Sequence, residues 1–184
     1  MKNYSILGVF LFLMALSGCF KDSTDTNKEP TSSETSSAQV NTDGNNVRIK
    51  TVHGDIIFKF LPEYAPNTVA RIKELIKDGF YNGLTFHRVI PGFVAQGGDP
   101  KGNGSGGSGV KLKAEFSKKI KHKEGTIAMA RSSDPDSADS QFYISYGPQP
   151  HLDGKYTIFG EVTEGMDVAK KLKVGDKMIL VTLE

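Results

Sequence analysis

Three side chains stand out in the apolar run at residues 86–100. Arg88, Phe93 and Gln96 place a cation, an aromatic ring and an amide among apolar neighbours. A charge or an amide inside an apolar wall costs free energy unless a partner satisfies it. Each has an ordinary alternative: a stacked surface arginine, a core aromatic or an exposed strand amide. Together they indicate a site that joins a permanent hydrogen-bond donor to an apolar slot.

Two later blocks repeat this mixture of apolar, amide and aromatic residues. The first block comprises Gly125–Arg131 and Ser140–Ile144, and the second is Leu152–Gly160. In this order, the blocks resemble the signature of the cyclophilins, the cyclosporin-binding family of peptidyl-prolyl cis-trans isomerases. The resemblance covers about residues 46–184. It implies that the chain accelerates rotation about X–Pro bonds in unfolded or exported polypeptides.

The reaction explains why such residues would suffice. Rotation of a peptide bond has a barrier of about 18–20 kcal/mol. In the twisted state the proline nitrogen gains a lone pair, while no bond to the substrate is made or broken, so no cofactor or metal is needed. The resemblance assigns Arg88, Phe93 and Gln96 as catalytic. A hydrogen bond from a charged group, worth about 1.5–3 kcal/mol, would supply about one to two decades of rate.

Other positions are expected to bind the substrate around the proline. His151 stands where well-known eukaryotic members have tryptophan, which implies weak cyclosporin binding; Tyr156 replaces a common histidine and Arg131 a common asparagine. Ala130 and Arg131 lie on a strand edge, where a peptide could take backbone hydrogen bonds. The expected substrate-binding set is His87, Val94, Ala130, Arg131, Gln141, Phe142, Tyr143, His151, Leu152 and Tyr156.

Two other functions remain open for the same fold. It could hold proline peptides without turnover, or act as a general chaperone. The intact Arg88 favours the enzyme.

The N-terminus has the pattern of an export signal. Lys2 precedes the apolar stretch Ile6–Leu16, which is too short to cross a hydrocarbon core that requires about 20 helical residues. The stretch ends in Leu16-Ser17-Gly18-Cys19, which resembles a bacterial lipobox. We expect a lipoprotein signal peptide at 1–18, a palmitate-type lipid on Cys19 and a disordered tether over 19–45. The protein would then be lipid-anchored at the outer face of a cell membrane.

The remainder reads as one mainly β domain, residues 46–184. Alternating residues predict a hairpin around His53-Gly54, and Pro66 to Gly79 has the spacing of an amphipathic helix. A shorter helix is predicted over Gly165–Leu172. The pattern itself supports an antiparallel barrel or sandwich, and the resemblance narrows it to a closed eight-stranded antiparallel β-barrel capped by two α-helices. Further strands are predicted at Thr85–Ile90, Phe93–Gly97, Thr126–Ala130, Gln141–Ser145, Thr157–Val162 and Met178–Leu183.

Bulk properties and weaker motifs exclude several functions. A net charge of +2 does not favour nucleic acid, and a single cysteine excludes an internal disulfide. Gly102–Gly107 fits a dinucleotide-binding pattern but no helix follows it, so it reads as a flexible loop. We expect a monomer. The basic run Lys118–Lys123 is either a solvated hairpin face or attracts anionic polymers or lipids. Acidic Asp134, Asp136 and Asp139 would favour basic residues beside the proline.

Overall fold

The computed structural model describes residues 44–184. Eight strands and two helices make up the fold, with short 3-10 turns between them. The helices are α1 (Pro66–Lys77) and α2 (Met166–Ala169). The strands are β1 (Asn46–Thr51), β2 (Gly54–Phe60), β3 (Arg88–Ile90), β4 (Val94–Gly97), β5 (Thr126–Met129), β6 (Phe142–Ser145), β7 (Ile158–Glu164) and β8 (Leu180–Leu183).

The first hairpin follows from alternation of apolar and polar residues, which is broken in β2 by the apolar Ile57. β1 and β2 pair antiparallel, with Val47 opposite Phe58 and Ile49 opposite Ile56. These four side chains are buried in the main core. Successive strand residues point to opposite faces, so Arg48 and Ile57, which lie between them, face outward.

The expectation of a closed barrel is wrong. All eight strands form one sheet in the order β3-β4-β6-β5-β7-β2-β1-β8, which leaves β3 and β8 as unpaired edges. The segments that precede β3 and β8 in the chain are joined only weakly. An isolated bridge links Thr85 to Lys177, and a few backbone hydrogen bonds connect the same two loops. The sheet is therefore an open, strongly curled half-barrel. Register shifts where β7 meets β2 and β5 contribute to the curl, because a bulge bends its strand.

The long helix forms where the sequence predicts it. Pro66 occupies the first turn, and Val69, Ile72, Leu75 and Ile76 make one buried stripe. No side chain of the preceding residues caps its N-terminus. Instead, the distant Glu115 accepts the backbone N–H groups of Asn67 and Thr68 at 3.0 and 2.8 Å. These bonds outweigh the effect of burial and lower the pKa of Glu115.

The second helix is shorter than expected. α2 ends at Ala169, and Lys171 and Leu172 continue only in tighter turns, with their N–H groups bonded three residues back. Ala169 and Leu172 are buried, as predicted. α1 packs on β7 and β8, and α2 packs on β2.

The predicted signal peptide, lipidated Cys19 and nearly all of the tether lie outside the described residues. The first strand of the described residues, β1, starts at Asn46. No helix in residues 44–184 is long and apolar enough to span a bilayer.

Candidate active site

A second apolar cluster covers the outer face of the curled sheet. β4, β6, β5 and β7 each direct a side chain outward into it: Val94, Tyr143, Ala128 and Ile158. Because β-strand residues alternate, these side chains neighbour the core-facing ones. Above the cluster lies a cavity of about 200 Å³, which we call the outer pocket. It is lined by Arg88, Phe93, Val94, Gln96, Ala130, Arg131, Tyr143, Leu152 and Tyr156.

The hairpin of β3 and β4 places the cation beside the aromatic ring. Arg88 lies opposite Gln96 in the strand register. The turn between the strands contains Gly92 at φ +73°, a conformation that glycine adopts without strain. The central carbon of the Arg88 guanidinium lies 5.6 Å from the centre of the Phe93 ring. Arg88 is exposed and lines the pocket.

A line of side-chain amides fixes the direction of this arginine. Arg88 Nη1 donates to Gln96 Oε1 at 3.3 Å, and Gln96 Nε2 donates to Gln141 Oε1 at 2.9 Å. Gln141 Nε2 in turn donates to the carbonyl oxygens of Gly104 and Gly106 at 3.0 and 2.8 Å. Carbonyl oxygens only accept, so the loop sets the orientation of both amides and turns the Gln96 oxygen toward Arg88.

The loop that accepts from Gln141 is itself held by a buried carboxylate. Asp99, 1% exposed, accepts the N–H groups of Lys101 at 2.8 Å and Asn103 at 3.0 Å, and that of Gly104. Burial opposes ionisation, yet these bonds outweigh it and lower the pKa of Asp99. A Cβ on Gly106 would lie 2.0 Å from Asp99 Oδ1, so glycine is required there. The loop that the sequence predicts to be flexible is thus held at several points by hydrogen bonds to Asp99.

A second cavity of about 410 Å³ lies between this loop and Arg131 and touches Gln96 and Gln141.

The acidic residues that were expected to attract basic residues beside the proline accept hydrogen bonds from their own chain instead. Asp139 accepts from the Ser108 and Gly109 backbone, and Asp136 accepts the Ala114 N–H at 2.9 Å. Their free acceptor capacity is thereby reduced.

Behind the outer pocket runs a buried hydrogen-bonded line that sequence reasoning missed. His122, whose side chain is 0% exposed, lies 3.0 Å from Asp153 Oδ1 through Nδ1 and 2.9 Å from the Tyr143 hydroxyl through Nε2. Burial lowers the pKa of His122, although Asp153 partly opposes this, so the ring is neutral at pH 7. Ionised Asp153 then accepts from Nδ1, and Nε2 accepts from the Tyr143 hydroxyl. Asp153 belongs to the block Leu152–Gly160 that carries the resemblance, but nothing in the sequence of that block links Asp153 to His122.

Arg131 closes the opposite side of the pocket. Its guanidinium lies 4.7 Å from the Tyr156 ring centre and 5.6 Å from that of Phe116. It donates to the Lys155 and Ser132 carbonyl oxygens at 2.9 and 2.8 Å. These bonds hold Tyr156 and the 131–133 segment as a fixed wall.

Four of the expected substrate-binding residues do not line the outer pocket: His87, Gln141, Phe142 and His151. Phe142 faces the core, with its ring 5.6 Å from Tyr81 and 6.5 Å from Phe159 between centres, because its neighbour Tyr143 takes the outward position. His87 carries two buried ring nitrogens with no hydrogen-bond partner among the described residues, and burial lowers its pKa. His151 stacks on Phe93, with 5.7 Å between the ring centres.

The titratable side chains do not gather into a metal site. Among residues 44–184, no group of three or more histidine, cysteine or acidic side chains could hold a metal ion. The polar groups that line the pocket include the guanidinium groups of Arg88 and Arg131 and the amide of Gln96, a set suited to hydrogen bonding.

The chain resembles a large group of known proteins. Residues 46–179 match the family described as cyclophilin type peptidyl-prolyl cis-trans isomerase/CLD. It is 49% identical over 130 residues to peptidyl-prolyl cis-trans isomerase B of Bacillus subtilis, covering 70% of this chain and 90% of that protein. A Helicobacter pylori peptidyl-prolyl cis-trans isomerase is 48% identical over 131 residues, covering 70% and 80%.

Solved structures share the fold. A Cryptosporidium parvum cyclophilin type peptidyl-prolyl cis-trans isomerase, crystallised in the presence of the dipeptide Ala-Pro, matches with a TM-score of 0.71 and 30% identity, covering 76% of this chain and 98% of that one. Cyclophilin AquaCyp293 of Hirschia baltica matches with a TM-score of 0.70 and 27% identity, covering 76% and 74%.

Proposed function

Because the chain belongs to the cyclophilin-type peptidyl-prolyl cis-trans isomerases, we propose that its outer pocket is the site of X–Pro isomerisation. The observation that carries this is the Arg88 guanidinium, 5.6 Å from the centre of the Phe93 ring, in a pocket that Val94 and Leu152 also line. The Ala-Pro dipeptide named with the Cryptosporidium relative supports a proline peptide as the ligand.

In this proposal the proline ring enters the outer pocket between Phe93, Leu152 and Tyr143. Arg88 keeps its proton at any relevant pH and donates to the proline nitrogen when twisting gives that atom a lone pair. Gln96 fixes the direction of the guanidinium, and the apolar wall excludes water that would compete for the same nitrogen. The barrier falls because the donor stabilises the twisted state more than either planar state.

The test is an exchange measurement by NMR on an Ala-Pro peptide with the Arg88→Ala variant. We expect kcat/KM to fall by about ten- to hundredfold, from the loss of a charged hydrogen bond worth about 1.5–3 kcal/mol. Arg88 is exposed, so the urea midpoint should stay unchanged. Peptide binding by the wild type without exchange would identify a binding module, and full activity in the variant would favour the general chaperone.

We further propose that the enzyme serves exported proteins at the outer face of a bacterial membrane, anchored by a lipid on Cys19. The support lies in the sequence: the only cysteine follows the apolar stretch Ile6–Leu16 and precedes a segment rich in serine and threonine. A single acyl chain binds membranes only marginally, so we expect more than one.

This second proposal has a direct test. Cells that express the chain should incorporate labelled palmitate, and the Cys19→Ser variant should not. Protease added to intact cells, or to cells whose outer envelope has been opened, should digest the domain. Absence of label, or protection from protease in both preparations, would exclude the anchored outer-face location.

A further inference from the structure

The basic run Lys118–Lys123 forms one side of a groove on the outer face of the sheet. The groove has a volume of about 410 Å³ and an apolar base that includes Leu61, Tyr64 and Ile120. Four lysines line it, Lys59 from β2 and Lys119, Lys121 and Lys123 from the run, against two glutamates, Glu63 and Glu161. The run is a loop here and not the hairpin expected from the sequence. We call this site the lysine groove.

The lysine groove and the outer pocket rest on the same apolar cluster. Tyr156 lines the pocket and Ile120 lines the groove, and both pack against this one cluster of buried side chains. The pocket lies over β4, β6 and β5, and the groove lies over β7 and β2, which follow in the sheet order. A polypeptide that leaves the pocket along this face reaches the groove next.

The charges of the groove are only partly compensated. Lys123 pairs with Glu161 at 2.6 Å, and Lys121 lies 3.7 Å from Asp153. Lys59 and Lys119 form no ion pair within residues 44–184. Two unpaired ammonium groups beside an apolar base are complementary to carboxylates on an otherwise ordinary peptide segment.

The strand spacing sets how far such carboxylates must lie from the proline. Three neighbour spacings, β6 to β5, β5 to β7 and β7 to β2, amount to roughly 14 Å at about 4.8 Å each. An extended peptide advances about 3.3 Å per residue, so about four residues cover this distance. The curvature of the sheet and the width of the pocket extend the range to about six.

We propose that the lysine groove is a second subsite for the polypeptide substrate and binds acidic side chains about four to six residues from the proline. The inference rests on X–Pro isomerisation in the outer pocket. It gives the enzyme a preference for clients in which a proline is followed or preceded, at that spacing, by an acidic pair.

The test compares peptides with a central Ala-Pro and two glutamates, or two glutamines, at positions four and five from the proline on either side. NMR exchange is measured with the full chain in detergent. For one of the two placements we expect kcat/KM of the glutamate peptide to exceed that of its glutamine partner by about three- to tenfold at low salt. The gain should vanish near 1 M salt, where the screening length is about 3 Å.

Two charge-reversal variants locate the effect. The gain should disappear in Lys59→Glu/Lys119→Glu, while the rate on glutamine peptides stays at the wild-type value. It should persist in Lys173→Glu/Lys177→Glu, which changes the net charge equally but lies before β8, outside both sites. The glutamine peptides report the isomerase activity itself, so loss of that activity is distinguishable from failure of the groove.

Three outcomes would overturn the inference: equal rates for glutamate and glutamine peptides, a gain that survives in the groove variant, or one that is lost equally in the control. A membrane role is the competing use of these lysines. If the full-length Cys19→Ser chain bound phosphatidylglycerol vesicles through Lys59 and Lys119, and peptide charge had no effect, the groove would belong to the lipid surface.

Discussion

Backbone carbonyl groups, and not the glutamines themselves, set the donor-to-acceptor direction of the hydrogen bonds along the amide line that leads to Arg88. Gln141 must direct its NH2 group at Gly104 and Gly106, so its oxygen faces Gln96, and the Gln96 oxygen faces Arg88. Reversing either amide would bring two acceptors together. The arginine is thus oriented by a loop that does not touch it.

This arrangement predicts that two different substitutions of Gln96 fail for different reasons. Gln96→Leu removes the acceptor of Arg88 and frees the guanidinium to move. Gln96→Glu keeps an acceptor but places carboxylate oxygens against Gln141 Oε1, which has no proton to give. We expect each to lower kcat/KM about tenfold on an Ala-Pro peptide, measured by NMR exchange. Wild-type activity in Gln96→Leu would show that Arg88 needs no positioning from this line.

The ring and the hydroxyl of Tyr143 have different roles, so a substitution can distinguish a contribution to stability from a contribution to catalysis. Its ring forms the wall, whereas its hydroxyl satisfies buried His122. Tyr143→Phe keeps the ring and leaves His122 Nε2 without its partner, at a cost of about 1–3 kcal/mol in the free energy of unfolding. Urea unfolding should register this loss while kcat/KM stays within about twofold. A large fall in kcat/KM at unchanged stability would instead place the hydroxyl in the reaction.

At the scale of elements, the glycine-rich loop 99–107 acts as a rigid support. Its conformation is held by Asp99 and its carbonyls hold Gln141. We predict that Gly106→Ala lowers kcat/KM at least several-fold, because a Cβ 2.0 Å from Asp99 Oδ1 must displace the loop. Gly147→Ala is the matched control, since nothing lies within 4 Å of a Cβ there. Equal activity in the two variants would show that the loop position does not matter.

How far the sequence could anticipate these elements depends on how local their causes are. The hairpin of β1 and β2 and the helix α1 follow from alternation and from the stripe of Val69, Ile72 and Leu75, so both were predicted within a residue or two. The cap of α1 was not, because Glu115 is 47 residues from Thr68. Phe142 was placed in the pocket because a short apolar strand does not show which face is buried.

The pocket also combines local features, which the sequence predicts, with contacts between distant residues, which it does not. The hairpin that joins Arg88, Phe93 and Gln96 is local, and the resemblance identified its members. The line from Gln96 through Gln141 to Gly104, and the line from Tyr143 through His122 to Asp153, cross between distant loops. No periodicity encodes such contacts. Composition therefore predicted only a flexible loop, whereas the structure shows that several N–H groups of this loop donate to the buried Asp99 carboxylate.

For the whole molecule, one open sheet serves two purposes. Its inner face holds the aromatic core, including Phe58, Phe60 and Phe159 in edge contacts. Its outer face carries both the pocket and the lysine groove. Since the core occupies the inside, both proposed sites lie on the other face, and binding there need not disturb the packing that stabilises the fold.

Buried titratable groups across the molecule predict how its stability depends on pH. Burial lowers the pKa of His87 and His122 from the ordinary 6.5, so below that pH the unfolded chain binds protons that the folded chain does not. The free energy of unfolding must then fall as the pH falls below about 6.5. Asp99, Glu115 and Asp153, whose pKa values are lowered from 3.8 or 4.5 by hydrogen bonds that outweigh burial, add a second loss below about pH 4.

At alkaline pH, the free energy of unfolding changes with pH in the opposite direction. Burial raises the pKa of Tyr81 and Tyr143, and that of Tyr146 to about 12, from 10.0. Above pH 10 the unfolded chain loses protons that the folded chain keeps, so stability falls again. Urea unfolding from pH 3 to 11 should show a plateau between about pH 6.5 and 10. His122→Gln should flatten the slope just below pH 6.5, and stability that rises between pH 7 and 5.5 would contradict a neutral, buried histidine behind the pocket.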